Sequence, residues 1–137
     1  MTLPEPMLVD TSVWVDYWNG HDSYEALRLD QAIANNDPIV LSGLIVTEIL
    51  LGLRTKAEAK RIATLLNAFD QTPEFALSDY TEAARIYRVC RSRGITVRST
   101  IDCLLAQTCL RWQLPLLSKD RGFLAIAKKS ASSNAHC

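Results

Sequence analysis

Four carboxylates, Asp10, Glu48, Asp102 and Asp120, share a setting that charged side chains seldom occupy: each is embedded in apolar sequence or abuts it. Glu48 is the sole charge between Asp37 and Arg54, and Asp102 the sole charge between Arg98 and Arg111. Burying a carboxylate without a partner is costly, so such a residue is paired, protonated or bound to a cation. Neither stretch supplies a base of its own. Acids drawn together repel one another unless a cation offsets their charge, and ligands that are all oxygen select hard ions such as Mg²⁺ or Mn²⁺. Singly, each acid also has a structural reading. Asp10 and Asp120 could be helix N-caps, Asp102 the acid of a Ser99-Thr100-Ile101-Asp102 capping box, and Glu48 part of a narrow solvated stripe. Jointly, four such acids in this order favour a shared metal site.

The other reactive residues argue against zinc. Cys90, Cys103, Cys109 and Cys137 form no C-x-x-C pair, and the histidines are His21 and His136 alone. The thiols read as reduced and buried. Residues 1–6 carry an acid and two prolines where a secretory leader needs bases and an apolar core. No apolar run nears the ~20 residues of a membrane span. A cytoplasmic protein with no membrane partner is expected. The net charge of zero hides a division: ahead of Arg54 stand eight acids and a single base, Arg28. Later, Arg85, Arg88, Arg91, Arg93 and Arg98 follow one another with no acid between Glu82 and Asp102. A polyanion partner suits that asymmetry, a solvated basic helix explains it more simply, and charge alone does not decide.

Such acids need a frame to position them. At 137 residues, almost half of them apolar, the chain is long enough for one domain with its own core. Residues 7–10 (MLVD), 38–42 (PIVLS) and 115–118 (PLLS) predict short buried strands, with a further one at 75–77. Helical spacing runs over 11–18, after an N-cap at Asp22, over 44–53, and from the Thr55-Lys56-Ala57-Glu58 capping box through Phe69. It returns from a Ser78 cap to Gly94, over 99–112 and over 120–128. The alternation implies a single α/β domain, residues 1–129, with a parallel sheet of four or five strands flanked by helices. The small polar tail, 130–137, is expected to be disordered. Ligands of such folds lie beyond the carboxyl ends of the strands, where Asp10 and Asp120 fall.

The segments 7–16 (MLVDTSVWVD), 47–52 (TEILLG), 94–99 (GITVRS) with 101–106 (IDCLLA), and 117–123 (LSKDRGF) resemble, in order, the motifs of PIN-domain nucleases. Among these they are most similar to the VapC toxins of VapBC toxin–antitoxin pairs, and the resemblance runs over residues 7–128. It implies an α/β/α sandwich with Asp10, Glu48, Asp102 and Asp120 clustered at one edge of the sheet. It also implies hydrolysis of an RNA phosphodiester by in-line attack of a metal-activated water. Asp10 and Asp102 would then hold the principal Mg²⁺, for which Mn²⁺ can substitute. Asp120 would support that ion or a second one, and Glu48 would orient ligands or the water. Ser12, with Thr11, matches the small hydroxyl residues that often follow the first acid, and is a candidate support or substrate contact. Arg98 and Arg121 are candidate phosphate contacts, against a reading of both as solvated arginines. Gly122 departs from the pattern, standing where relatives often carry a further acid, so the implied metal site is leaner.

The resemblance further implies a homodimer held by helices and a cognate VapB-type antitoxin, in a heteromeric complex. The antitoxin would lay an apolar and basic segment over the groove. Trp14, Tyr17 and Trp18 are candidate contacts, with core packing the simpler account of Trp14. The RNA target is a structured or single-stranded loop, a tRNA by family analogy. Other classes fit less well. A phosphoacceptor receiver domain wants adjacent acids after its first strand, but Thr11 follows Asp10. A haloacid-dehalogenase-like phosphatase wants a second Asp where Ser12 stands. The remaining alternative is a non-catalytic PIN-fold module that binds RNA or protein. DNA cleavage by the same chemistry is a further one.

Overall fold

The first candidate acid, Asp10, directly follows one short strand. In the computed structural model, which describes residues 4–120, Met7–Val9 form β1 and all three are buried. After it come α1 (Thr11–Asn19), α2 (Tyr24–Ala34), β2 (Ile39–Leu41), α3 (Gly43–Leu51) and α4 (Lys56–Leu66). Then follow β3 (Asp70–Gln71), α5 (Leu77–Ser92), α6 (Thr100–Arg111) and β4 (Leu116–Leu117). The four strands make one parallel sheet in the order β3-β2-β1-β4. Leu8 faces Val40 on one side and Leu116 on the other, so β1 is flanked on both edges. A strand enclosed in this way reads as an unbroken apolar run, as MLV does.

By their internal contacts, residues 4–72 with 115–119 form one compact unit, holding the sheet and α1 to α4. Its core is Leu8, Val9, Val13, Trp14, Leu29, Leu41 and Ile45, none more than 1% exposed. Trp14 stacks on Trp18 at 5.3 Å and meets Phe69 edge-on at the same distance, so Trp14 is a core residue. Its Nε1 is buried without a hydrogen-bond partner among the described residues. Truncating Leu8, whose side chain is wholly enclosed, should cost about 2–5 kcal/mol in Leu8→Ala, from lost burial plus the cavity left behind. Urea unfolding measures this, and a loss under about 1 kcal/mol would contradict the core assignment.

Residues 73–114, with Asp120, form the second unit, in which α5 packs on α6. Ala83, Ile86 and Cys90 of α5 and Cys103, Leu105 and Ala106 of α6 are its buried apolar residues. Gly94, at φ 75°, turns the chain out after α5 in a left-handed conformation that glycine adopts without steric cost. Cys90 and Cys103 are buried free thiols, as expected, whereas Cys109, also expected to be buried, is half-buried; burial raises the first two, Cys103 to about 11. Asp79 is also buried, but well partnered. Its Oδ1 accepts from Gln107 Nε2 at 3.0 Å, its Oδ2 from the Ala76 N–H at 2.8 Å, and both oxygens from Arg111 Nη1 at 2.8 Å.

Burial pushes the Asp79 carboxyl up, yet these hydrogen bonds outweigh it and leave the group below its ordinary value of 3.8. A carboxyl whose pKa is lowered by folding stabilises the native state above its unfolded value and loses that contribution as pH falls through the folded one. Asp79 therefore contributes fully at neutral pH and fades below about pH 3.8. Asp79→Asn should lower the urea midpoint at pH 7 and flatten its decline between pH 5 and 3. A midpoint that falls as steeply as the parent's would contradict this assignment.

The differences from expectation are local. The strand expected at 75–77 is absent: Leu77 opens α5, and the strand lies at Asp70–Gln71 instead. Two exposed polar residues make an edge strand by pairing with Val40 and Leu41, which no apolar pattern announces. Asp22 does not cap α2; Ser23 does, accepting from the Ala26 N–H at 3.0 Å. Ser78 does not cap α5, because it lies inside the first turn: Leu77 opens the helix, Ala76 stands at the N-cap position, and the Ala76 N–H donates to Asp79. Thr55 and Ser99 are N-caps whose hydroxyls accept from the backbone N–H groups of Glu58 and Asp102, the hydroxyl half of each expected box, although α4 stops at Leu66 and not at Phe69. The continuation of the helix expected over 120–128, the tail 130–137, Arg121 and Gly122 lie outside the described residues.

Candidate active site

Asp10 leaves β1 at the helix N-cap position, with extended backbone (φ −69°, ψ 155°), yet its carboxylate makes no capping bond. Its backbone is already committed: its N–H donates to Leu117 O at 2.9 Å, and its carbonyl accepts from the N–H groups of Val13 and Trp14. The carboxylate is held by hydroxyls instead. Ser12 Oγ donates to Oδ2 at 2.9 Å and Ser118 Oγ donates to the same oxygen at 3.1 Å. Among the described residues no side chain bonds Oδ1. The capping account of Asp10 therefore fails, and a half-buried carboxylate is left oriented with one oxygen presented.

Glu48 stands on α3, half-buried, and its Oε1 accepts from Thr11 Oγ1 at 3.4 Å. Thr11 directly follows Asp10, so the first strand's exit and α3 bring two of the four acids together. Glu48 also lines a cavity of about 390 Å³ whose walls include Val15 and Trp18 of α1 and Arg54, Glu58 and Arg61 around α4. Asp16, one further turn and a half along α1, is buried and accepts from Lys119 Nζ at 2.6 Å. That hydrogen bond holds the Asp16 carboxyl below its ordinary range against the opposing effect of burial. It also fastens the segment after β4, which carries Ser118, onto α1.

The other two acids belong to the second unit. Asp102 lies in the first turn of α6, half-buried, and its N–H donates to Ser99 Oγ at 3.4 Å. The helix N-terminus favours negative charge there. Asp120 is half-buried at the end of the described chain, and Arg98 is exposed in the loop ahead of α6. Among the described residues no three of His, Cys, Asp or Glu stand together as a ready-made metal cluster.

The profile of the PIN-domain family matches residues 7–129, almost the whole chain. The chain belongs to the PIN-domain family. Within that family its likeness is to the VapC branch. Ribonuclease VapC11 of Mycobacterium tuberculosis and VapC ribonuclease Mb1587 of Mycobacterium bovis are each 31% identical to it over 123 residues, covering 89% of this chain and 92% of theirs. Among solved structures, VapBC2 from Rickettsia felis, bound to a DNA fragment from their promoter, superposes with a TM-score of 0.70 at 16% identity. It covers 88% of this chain and 92% of that one, and it establishes the shared fold.

In this PIN domain the donors around Asp10 have the chemistry of a hard-cation site: carboxylate oxygens from Asp10 and Glu48, and hydroxyls from Thr11, Ser12 and Ser118. Residue types read from sequence missed Ser118, Lys119 and Asp16. Asp16 carried the same signal as the acids that were picked, a charge inside apolar VWVDYW, and Ser118 was a hydroxyl at a strand's carboxyl end. Removing both hydroxyls (Ser12→Ala with Ser118→Ala) should lower activity about tenfold by freeing the Asp10 carboxylate to rotate, with each single change costing less. Cleavage kinetics measure this, and a double variant matching wild type would show that the hydroxyls do not orient Asp10.

Proposed function

We propose that this PIN domain is an endoribonuclease that hydrolyses RNA phosphodiesters with Mg²⁺ or Mn²⁺, and that it is the toxin of a toxin–antitoxin pair. The observation that carries the reading is the Asp10 carboxylate, which makes no capping bond and is held by the Ser12 and Ser118 hydroxyls, with Glu48 tied in through Thr11. A merely structural acid at an N-cap would bond the backbone. Asp10, Asp102 and Asp120 would hold the ion. Bound there, Mg²⁺ supplies positive charge that offsets the developing charge on phosphate and lowers the pKa of a water.

The chain's own groups prepare that site. Ser12 and Ser118 fix the rotamer of Asp10, and Thr11 fixes Glu48 in position to orient the attacking water. Lys119 neutralises Asp16, so this buried acid does not compete for the cation. Arg98 and Arg121 would meet phosphate oxygens. Two named ribonucleases at 31% identity support RNA as substrate, and a loop of tRNA is the target class we favour.

The cavity beside Glu48 suits the antitoxin. Its Val15 and Trp18 walls accept apolar side chains, and its charged lining pairs two acids, Glu48 and Glu58, with two bases, Arg54 and Arg61, so a segment seated there would meet both signs. Occupation there would mask Glu48. In this reading the toxin works in the cytoplasm as a homodimer, inside a larger complex with its antitoxin. No helix among the described residues is long and apolar enough to cross a membrane.

The test is incubation of antitoxin-free protein with total cellular RNA in Mg²⁺, in Mn²⁺ and in EDTA. Cutting with either ion, lost in EDTA and restored by adding the ion back, is expected. No cutting by folded, inhibitor-free protein would leave a PIN module that binds without catalysis.

A further inference from the structure

We infer that the cavity between α5 and α6 is a base-stacking subsite for single-stranded RNA, a proposal that rests on the ribonuclease reading and names how the substrate is gripped. The cavity has a volume of about 510 Å³ and lies wholly within the second unit. That falls in the ~300–1,000 Å³ range of sites for small organic groups. Tyr80, Tyr87 and Arg88 of α5 face Thr100, Cys103 and Leu104 of α6 across it.

The sequence builds this arrangement from helical spacing. Tyr80, Ala84, Tyr87 and Arg88 fall at i, i+4, i+7 and i+8, on one face of α5. The alanine leaves room between two rings. Tyr80 and Tyr87 are 53% and 42% exposed, so a large share of each ring faces solvent. Phe75 holds Tyr80 edge-on at 5.4 Å, which limits how it can turn. Exposed aromatic faces beside an arginine are what sequence-tolerant base stacking requires. The α6 wall begins at Thr100, two residues before Asp102, so the subsite runs up to the turn bearing one of the proposed metal ligands.

Charge selects the occupant. Arg88 lines the cavity and Arg91 follows one turn on, within a stretch that has no acid between Glu82 and Asp102. Cations there complement a phosphate backbone. A second copy of this chain, docked by twofold symmetry on the same face, would set these arginines against their own likeness.

The experiment uses the full chain carrying Asp10→Asn, so that RNA is bound and not cut. The probe is a fluorescein-labelled single-stranded RNA of about 12 nucleotides, read by anisotropy in EDTA. Tyr80→Ala and Tyr87→Ala should each weaken binding about tenfold, while Tyr87→Phe keeps the ring and the affinity. Arg88→Gln should weaken binding and reduce the slope of log affinity against log salt by about 1. Both alanine variants folded by circular dichroism and binding as tightly as the parent would overturn the proposal. So would a variant that changes the particle mass in light scattering while affinity per protomer is kept, since the face would then be an interface between copies. The ribonuclease reading is judged separately. A wild type that cuts RNA beside alanine variants that bind normally removes the subsite alone.

Discussion

Asp10→Asn should reduce RNA cleavage by roughly 10³-fold or more, with the protein as folded as the parent. The magnitude follows from the several kcal/mol that a positioned cation contributes to a phosphoryl transition state, at tenfold in rate for each ~1.4 kcal/mol. The substitution keeps the shape of the side chain, and an amide oxygen can still accept from Ser12 and Ser118. What it removes is the negative charge. Because the carboxylate caps nothing, its loss leaves α1 intact, and the melting temperature should not fall. Single-turnover kinetics with circular dichroism checks both halves. Activity within tenfold of wild type would mean that Asp10 is an orienting group at most.

Glu48→Gln should cost about 10²-fold, the usual scale for losing a side chain that directs an attacking water. The glutamine oxygen keeps the bond from Thr11 and lines the same cavity, so packing is unchanged and only the charge is lost. Thr11→Val should cost much less, since the 3.4 Å bond from Thr11 steers Glu48 and makes none of the chemistry. The ordering of these two variants is the informative result, read from kcat/KM on one labelled RNA. A Glu48→Gln protein as active as wild type would make Glu48 a wall of the groove and nothing more.

Much of this was legible in the sequence where chemistry and pattern coincide. β1 announced itself as an apolar run, and Asp10 as the charge that ends it. Glu48 stood out because α3 is apolar nearly all round. The caps at Thr55 and Ser99 were visible because a hydroxyl just ahead of a helix has a local partner in the backbone N–H three residues on. What escaped was settled by groups distant in sequence. β3 is two polar residues whose strand character comes from Val40 and Leu41. Ser118 matters through an oxygen 108 positions away, and Lys119 through one 103 positions away. Asp79 is enclosed by Gln107 and Arg111, 28 and 32 positions away, which no local pattern announces.

The central claim is the proposal, drawn from the resemblance to PIN-domain nucleases, that Asp10 and Asp102 serve one catalytic centre. A double-mutant comparison tests it most directly: single-turnover cleavage by wild type, Asp10→Asn, Asp102→Asn and the protein bearing both. If one cation site needs both acids, the double substitution should cost little more than the worse single one, because residues acting as a unit are not additive. Losses that multiply, each acid costing its full factor in the absence of the other, would contradict a shared centre.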